Sequence, residues 1–360
     1  MSDQVNRCYR LRRRPQGAVT DADLEFLREP VLKTGRDQAL IRTLWLSLDP
    51  TNRVWMSDVR SYMPAVAIGA VMRGIGIGQV VESKREDMRP GDLVSGLTGW
   101  QDYVLADDQT NEMPFAVLPF PLPAPLSVFL GALGHTGVTA YLGVEDICKP
   151  EPGETMVVTA AAGAVGSVAA QLGKTRGARV VGITGSAVKC RHIVEYFGLD
   201  AAVNHHDADW REQLDAATPE GVDVVYENVG GPLMDHLLCR INLGARIALC
   251  GMISEYNSYG SPTGQPGQFD IIQLVMSRAS IRGFLIFDHV DRFPEAIEHL
   301  AGLMATDKLK YDETVVDGLE RAGDAINALF DGTNTGKLLV KVAEPAPQQA
   351  TQKHAAAAAL

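Results

Sequence analysis

Long apolar runs, closely spaced cysteines and a basic excess are all absent from this 360-residue sequence. No stretch reaches 18 uninterrupted apolar residues, and no apolar core follows the basic amino-terminal 15 residues, so we expect neither a membrane span nor a secretory signal. A cytoplasmic location is the resulting expectation. The formal net charge of -11 argues against nucleic acid as a partner, because proteins that neutralise phosphate backbones usually carry a basic excess.

Cysteine is scarce, and its spacing argues against both disulfides and metal. The five cysteines are Cys8, Cys148, Cys190, Cys239 and Cys250. Their odd number and the lack of a C-x-x-C pair favour reduced thiols over a disulfide framework. Zinc sites are often marked by short-range pairs of soft ligands, and none is visible, so we predict no metal. Spacing alone does not exclude a site assembled from distant residues.

The remaining composition is that of an ordinary globular protein, with 46% hydrophobic residues and a length that favours two domains. Short apolar runs broken by Gly and Pro predict an antiparallel, barrel-like substrate domain at residues 1–125. Alternating strand-like and helix-like segments predict a parallel sheet with crossover helices at residues 126–310. Residues 311–343 are predicted to rejoin the first domain, and residues 344–360 to form a disordered tail.

Six apolar segments are the predicted strands of the parallel sheet, and amphipathic segments lie between them. The strand candidates are ETMVVTAA, ARVVGITG, AAVNH, VDVVYENV, ARIALCG and IRGFLIF, and the helix candidates are SVAAQLGKTRG, VKCRHIVEYFG and DRFPEAIEHLAGLMATD.

Residues 157–167, VVTAAAGAVGS, carry the most informative motif. A buried strand enters a tight turn and then a helix, where a small residue admits a pyrophosphate and the free amides of the helix complement its charge. Ala161 replaces the first glycine of G-x-G-x-x-G, while Gly163 and Gly166 remain. A plain packing turn is the alternative, but the position of the motif within a series of strand-helix units favours a dinucleotide site.

The end of the second strand predicts which dinucleotide binds. Enzymes selective for NAD usually place an acidic residue about 20 residues beyond the glycine loop. Residues 179–186 read RVVGITGS without an acid, and Lys189 and Arg191 follow. A carboxylate would repel a 2′-phosphate, whereas an ammonium group would accept it, so the sequence predicts NADPH. The alternative is that Lys189 is a solvated residue in the first turn of a helix.

Four segments together resemble the zinc-free medium-chain dehydrogenase/reductases. They are residues 133–166, ENVGG at 227–231, CGMISEYN at 250–257 and NTGK at 334–337. Within that superfamily the chain resembles the branch of prostaglandin reductases, alkenal double-bond reductases and curcumin reductases. The resemblance implies an α/β fold with a Rossmann-type doubly wound parallel sheet and a GroES-like antiparallel β-barrel domain.

The resemblance also implies which residues hold the cofactor. Gly163 and Gly166 would lie against the pyrophosphate, Lys189 would meet the 2′-phosphate, and His205 would stand near that phosphate. The full set is Gly163, Ala164, Val165, Gly166, Lys189, His205, Asn228, Cys250, Gly251, Met252, Ile253, Ser254, Tyr256, Phe284, Leu285, Ile286 and Asn334. Cys250 and Leu285 could instead be core residues, and His205 with His206 a solvated loop pair.

The activity implied by the resemblance is reduction of the carbon-carbon double bond of α,β-unsaturated ketones or aldehydes, with hydride going to the β-carbon. The carbonyl oxygen then becomes an enolate and requires a hydrogen-bond donor. Tyr256 is the predicted catalytic donor, because a phenol is neutral at pH 7. A packing role against the ribose is equally open, and so is proton donation by a ribose hydroxyl of the cofactor.

The predicted substrate site departs from the family pattern. Relatives commonly read Asp-Pro-Tyr-Met-Arg where this chain has DPTNR at residues 49–53, so Thr51 replaces an aromatic wall. Tyr62, in the segment SDVRSYMP, is expected to compensate, and Thr51, Tyr62 and Tyr256 are the predicted substrate contacts. Asp49 is expected to cap a turn, and Arg53 to point outward.

Two other functions fit the same sequence: a quinone reductase of this superfamily, and a non-catalytic NADPH-binding sensor. We also expect a homodimer, because IRGFLIF would be an exposed apolar sheet edge in a monomer.

Overall fold

The computed structural model describes residues 5–119, 121–258 and 269–346. The first part of the chain forms antiparallel strands and one short helix. The strands are β1 Val5–Leu11, β2 Leu24–Pro30, β3 Ala39–Ser47, β4 Gly76–Ser83, β5 Leu93–Gly96, β6 Tyr103–Ala106 and β7 Ala116–Val117, and the helix is α1 Pro50–Trp55. β1 and β2 pair with each other, while β3 pairs with both β4 and β6.

The central part of the chain forms a sheet of six parallel strands in the order β10-β9-β8-β11-β12-β13. This is the Rossmann order, with the chain reversing direction across the sheet between β8 and β11. The strands are β8 Thr155–Thr159, β9 Arg179–Thr184, β10 Ala201–Asn204, β11 Val222–Glu227, β12 Ile241–Leu249 and β13 Ser280–Gly283.

Helices cover both faces of this sheet. They are α2 His135–Leu142, α3 Gly166–Thr175, α4 Ala187–Glu195, α5 Trp210–Ala217, α6 Gly231–Leu238, α7 Ile253–Tyr256, α8 Ile272–Ser277 and α9 Phe293–Ala305. Met156 and Val158 of β8 pack in one core cluster with α2, α3 and α9, while Val157 packs in another with α5 and α6. Successive residues of β8 thus point to opposite faces of the sheet, and both faces are buried, as a doubly wound parallel sheet requires. The predicted fold class is confirmed.

The end of the chain returns to the antiparallel sheet. After α10 Ala322–Ala325 and α11 Ala328–Asp331, strand β15 Lys337–Lys341 pairs antiparallel with β3, and β14 Glu313–Asp317 pairs parallel with β15. The resulting sheet has the order β14-β15-β3-β4-β5-β7. The exact division into domains at residues 125, 310 and 343 stays a prediction.

The segment predicted as the last strand, IRGFLIF, is only partly a strand. β13 ends at Gly283, opposite Leu249, the last residue of β12, so the chain beyond Gly283 has no neighbouring strand to pair with. Residues 284 and 285 leave the sheet, and a 3-10 helix spans Ile286–Arg292. The predicted cofactor contacts on this segment therefore lie beyond the sheet edge.

Helix α2 reaches the space between the two sheets. It follows Gly134 and continues into a π-helical turn, Gly143–Cys148. At Gly143 an added Cβ would lie 2.5 Å from the ring of Tyr226 and 2.9 Å from that of Phe284, so only glycine allows this close packing. Among the described residues, no helix is both long and apolar enough to cross a membrane.

The first three residues of the predicted tail at 344–360 are described, and they contact the antiparallel sheet. The backbone of Ala346 exchanges hydrogen bonds with the side chain of Gln79 at 2.8 and 3.3 Å, which ties residues 344–346 to β4. Residues 347–360 lie outside the described part of the chain.

Candidate functional site

A cleft of about 500 Å³ runs between the carboxyl ends of the parallel strands and the antiparallel sheet. Its volume suits a small-molecule site. The residues predicted from sequence that line it are Thr51, Tyr62, Gly163, Ala164, Val165, Gly166, Lys189, His205, Asn228, Cys250, Gly251, Ile253, Ser254, Tyr256, Phe284, Leu285, Ile286 and Asn334. Segments distant in sequence thus meet at one site, although which of these residues contact a ligand stays a prediction.

The glycine loop connects β8 to α3 at one end of the cleft. Ala160 has a positive φ of 50°, and an added Cβ at Gly166 would lie 2.3 Å from the Ala160 carbonyl oxygen. Side chains are therefore excluded at Gly166. Gly163 borders the cleft, and only the Ala160 oxygen, 3.2 Å away, lies within 4 Å of a Cβ placed there. The loop leaves room beside the amino end of α3, where backbone amides can bind a pyrophosphate.

Lys189 lies in the first turn of α4, half-buried on the cleft wall. The Ser186 hydroxyl caps this helix by accepting from the Lys189 backbone amide. The Lys189 ammonium donates to the carbonyl oxygens of Gly332 at 2.7 Å and Asn334 at 2.5 Å. Burial lowers its pKa, against the opposing effect of Asp331. Among the described residues no carboxylate forms an ion pair with Lys189, so the ammonium suits an anionic ligand.

His205 packs against His206 near the same end, with ring centroids 4.1 Å apart and the two rings tilted by 42°. Burial, followed by the charge of His206, lowers the pKa of His205. A neutral imidazole at pH 7 can still donate a hydrogen bond, but it adds no charge for a phosphate. This favours Lys189 over His205 as the charged group of the predicted phosphate site.

The ends of β11 and β12 form the middle of the cleft. The Asn228 side-chain amide donates to the Thr159 carbonyl at 2.7 Å, and its backbone amide donates to the Thr159 hydroxyl at 2.8 Å. Burial raises the pKa of the Cys250 thiol to about 12, so this group is protonated at neutral pH. Burial therefore favours the thiol over the nucleophilic thiolate at Cys250.

Tyr256 is the last residue of α7, and its phenol faces the part of the cleft that contains Thr51 and Tyr62. The Met252 backbone amide donates to the Tyr256 hydroxyl oxygen at 3.2 Å, which orients the phenol. Met252 is the exception among the predicted residues: its side chain lies against Gly230 and does not line the cleft. Only its backbone reaches the site, through Tyr256.

An aromatic wall is present at the substrate end, although Thr51 does not supply it. The hydroxyls of Thr51 and Tyr62 are hydrogen-bonded to each other. The Tyr62 ring lies 6.3 Å from that of Trp55 and 6.0 Å from that of Phe287. Tyr62 thus places an aromatic ring beside Thr51 in the cleft lining, and its role as a substrate contact stays a prediction.

Three further residues of the cleft lining, which the sequence did not indicate as cleft residues, are linked to one another: Asp49, His135 and Lys337. The buried Lys337 ammonium lies 3.0 Å from Asp49 Oδ1 and donates to the Leu48 carbonyl at 2.7 Å. His135 Nε2 lies 3.1 Å from Asp49 Oδ2. Burial acts to raise the pKa of Asp49, but Lys337 and His135 outweigh it and hold that pKa well below its usual range. Asp49 is thus a buried carboxylate, not merely a turn residue.

Two family models match the chain. One, described as the N-terminal domain of oxidoreductase, covers residues 7–113, and the other, described as zinc-binding dehydrogenase, covers residues 164–302. The NADPH-dependent curcumin reductase of Escherichia coli is 41% identical over 94% of this chain and 98% of its own length. The chain belongs to the medium-chain dehydrogenase/reductase superfamily.

Further members of the superfamily match over similar lengths. The 2-alkenal reductase (NADP+-dependent) of Nicotiana tabacum is 35% identical over 95% of this chain and 99% of its own. The solved structure of CurA in complex with NADPH from Vibrio vulnificus is 38% identical, covers 94% of this chain and 100% of that chain, and superposes with a TM-score of 0.88. These matches confirm the family resemblance, and the chain is an oxidoreductase.

Arg53 differs from its prediction. It is buried, with 1% of its surface exposed, and does not point outward. Its guanidinium donates to the carbonyl oxygens of Pro15, Gly17 and Asn257 and to the Ser57 hydroxyl. The reason is that the amino-terminal segment and the end of α7 both pack over α1. Arg53 consequently links the antiparallel part of this medium-chain reductase to the loop that carries Tyr256.

Among the residues that the structure describes, no group of three or more His, Cys, Asp or Glu side chains could hold a metal ion.

Proposed function

We propose that this chain reduces the carbon-carbon double bond of α,β-unsaturated ketones or aldehydes. The observation that carries the proposal is the continuity of one cleft, with a nucleotide-type glycine loop and Lys189 at one end and a phenol with an aromatic wall at the other. The similar proteins named for curcumin and 2-alkenal reduction act on compounds that contain a conjugated carbonyl.

The cofactor is NADPH, in agreement with the sequence prediction. The curcumin and alkenal reductases, 41% and 35% identical to this chain, are named as NADPH- and NADP-dependent, and CurA, 38% identical, was solved in complex with NADPH. Its fit is supported by the space at Gly163, the amino end of α3 and the half-buried Lys189 ammonium. When bound, NADPH supplies a hydride to the substrate.

The residues of the chain then have separate tasks. Gly163 and Gly166 leave space for the pyrophosphate, and Lys189 provides the positive charge for the 2′-phosphate. Phe284 and Phe287 line the cleft with apolar surface, which strengthens hydrogen bonds inside it by excluding water. Tyr256 donates to the substrate oxygen on which negative charge develops.

The test is an assay of NADPH oxidation with a small alkenal, a bulky enone and a quinone, with products identified by mass spectrometry. The wild type should form saturated ketones or aldehydes. Tyr256→Phe should lower kcat on both enones by a similar factor, roughly 10- to 100-fold, because the enolate charge is common to both. Turnover of the quinone alone would support the quinone reductase instead, and no turnover would support the sensor.

We also propose that the reaction needs no zinc. Activity should survive prolonged dialysis against a chelator, because neither the sequence nor the described residues provide a ligand cluster. One tightly bound zinc per chain in elemental analysis, with activity lost on its removal, would contradict this.

A further inference from the structure

His135 lies on the wall of the cleft with a carboxylate behind it. It is the first residue of α2, and its Nε2 lies 3.1 Å from Asp49 Oδ2. Because Asp49 is ionised, it accepts the hydrogen bond, and Nε2 is the nitrogen that carries the hydrogen. Within residues 5–119, 121–258 and 269–346, no group forms a hydrogen bond with Nδ1. Nδ1 is therefore the ring nitrogen that a molecule in the cleft can use.

We infer that His135, oriented by Asp49, donates the proton that the α-carbon of the substrate receives. The inference rests on the proposed function. Reduction of an enone adds a hydrogen to each carbon of the double bond, and the donor Tyr256 accounts only for the charge on the oxygen. In the proposed step the Nδ1–H bond of the imidazolium breaks, the electron pair of the enolate forms the new bond from hydrogen to the α-carbon, and neutral His135 takes up a proton from water.

Charges of both signs lie around His135. The carboxylate of Asp49 places negative charge beside the ring, whereas the ammonium of Lys337 and the amino end of α2 place positive charge near it. Tyr62 and Tyr256 line the same cleft, and burial raises the pKa of Tyr62. Histidine changes charge between about pH 5 and 8, which suits an acid that must be regenerated in each turnover.

Other ionisable groups of the cleft are less suited to this step. Burial raises the pKa of Cys250 to about 12, so its thiol is a poor acid. Lys337 is buried and donates to Asp49 and to the carbonyls of Leu48 and Leu338. The Glu227 carboxyl lies outside the cleft lining, and its Oε1 accepts from the backbone amides of Val229 and Gly230.

The chain offers a matched control. His236 Nε2 lies 2.9 Å from Asp215 Oδ1, a histidine-aspartate pair of the same kind that does not line the cleft. His236→Asn therefore reports what loss of such a pair does to the fold alone.

The experiment reduces an α-methyl-substituted enone with the wild type, His135→Asn, His135→Gln and His236→Asn. Both His135 variants should lose on the order of 10²-fold in kcat, since general acid catalysis contributes about that much or more. They should also give both epimers at the α-carbon, because water then protonates the enolate from either face, while addition at the β-carbon keeps its stereochemistry. The wild type and His236→Asn should give one epimer.

A second readout needs no cofactor. In imidazole proton-nitrogen NMR spectra, adding the saturated ketone should shift a signal that is missing from the His135 variants and retained in His236→Asn. NADPH binding, followed by fluorescence, reports whether each variant is folded.

If kcat falls in the His135 variants while the epimer ratio stays that of the wild type, His135 has a structural role and the inference is overturned. An unchanged kcat would also overturn it. A wild type that reduces no enone would overturn the proposed function itself. If neither His135 variant folds, the wild type decides. Its epimer preference and kcat should both decline as pH rises, because only the imidazolium can donate from Nδ1 while Nε2 stays bonded to Asp49. A preference independent of pH would overturn the inference.

Discussion

Lys189 is the residue on which the choice between NADPH and NADH is expected to depend. Lys189→Ala should weaken the binding of NADPH by about 1.5 to 3 kcal/mol, the usual value of a charge-assisted contact. The binding of NADH should weaken much less, because only NADPH carries the 2′-phosphate. Dissociation constants measured by fluorescence titration check this.

Lys189 also donates to the carbonyls of Gly332 and Asn334. A smaller loss of binding shared by NADPH and NADH would therefore reflect disturbance of the loop at residues 332–334. Arg191→Ala, an exposed position on the same helix, is the control and should change neither constant. Equal losses of both nucleotides on Lys189→Ala would refute the assignment.

Thr51 is expected to leave room for bulky substrates. Thr51→Tyr should lower kcat/KM for an aryl-substituted enone by roughly tenfold or more while sparing a short alkenal, because filling a cleft harms only ligands that occupy the space. Steady-state kinetics on both substrates measure the ratio. An unchanged ratio would show that Thr51, despite its bond to Tyr62, does not border the bound substrate.

Where the predicted chemistry is local in sequence, the sequence indicated residues that the structure brings to one cleft. The glycine loop, the acid-free end of β9 and Lys189 lie within 33 residues of one another and follow a known spacing. Asp49 and Lys337 are separated by 288 positions, so neither spacing nor periodicity indicates that they meet. Arg53 was wrongly expected outside, because its acceptors come from segments that fold over α1 from both directions.

At the scale of a single element, the end of β11 contains a carboxyl group that should make stability depend on pH. Burial raises the pKa of Glu227 to about 7, against hydrogen bonds from Gly230, Val229 and Thr159 that favour its charged form. Since the folded-state pKa is raised, the associated stability is present below about pH 4.5 and lost as pH rises to about 7, on the order of 3 kcal/mol in total.

Glu227→Gln removes this titration, so urea denaturation should show an unfolding free energy that depends less on pH in that window than in the wild type. Glu220→Gln, an exposed position just before β11, should leave the dependence unchanged. Identical pH dependence of the wild type and Glu227→Gln would contradict the raised pKa.

Among the elements, the parallel strands were the most predictable, since each is an apolar run between turns. Helices α5 and α6 show no clear pattern in the sequence. In α5 only Trp210 and Leu214 are buried, which is too short a pattern to show periodicity, and α6 begins with Gly231 and Pro232, typical of a loop. The predicted strand IRGFLIF is longer than the observed β13. The reason is that the neighbouring strand β12 ends at Leu249, so the residues after Gly283 have no strand to pair with.

For the molecule as a whole, the edge strand β13 predicts a homodimer. Its outer side has no neighbouring strand among the described residues, and the adjacent α8 exposes Ile272, Val275 and Met276, with Val275 65% exposed. Pairing β13 with its copy would cover both features.

Light scattering should give the mass of two chains, and Val275→Asp should shift the equilibrium toward one chain. Leu32→Asp, at an equally exposed apolar position (63%) on the antiparallel part, should not. A monomer mass for the wild type would refute the prediction.

The contact between the glycine loop and the returning chain affects how this protein could be recombined with its relatives. The Gly336 amide donates to the Ala162 carbonyl at 2.8 Å, and Lys189 holds the carbonyls just before it. A chimera that exchanges only the parallel-sheet segment would place the glycine loop of one protein against residues 332–337 of another. Every strand would remain intact, but the contacts between these two segments would change. Residues 332–337 should therefore be exchanged together with the parallel-sheet segment, because the predicted nucleotide site is built from two segments that are separate in the sequence.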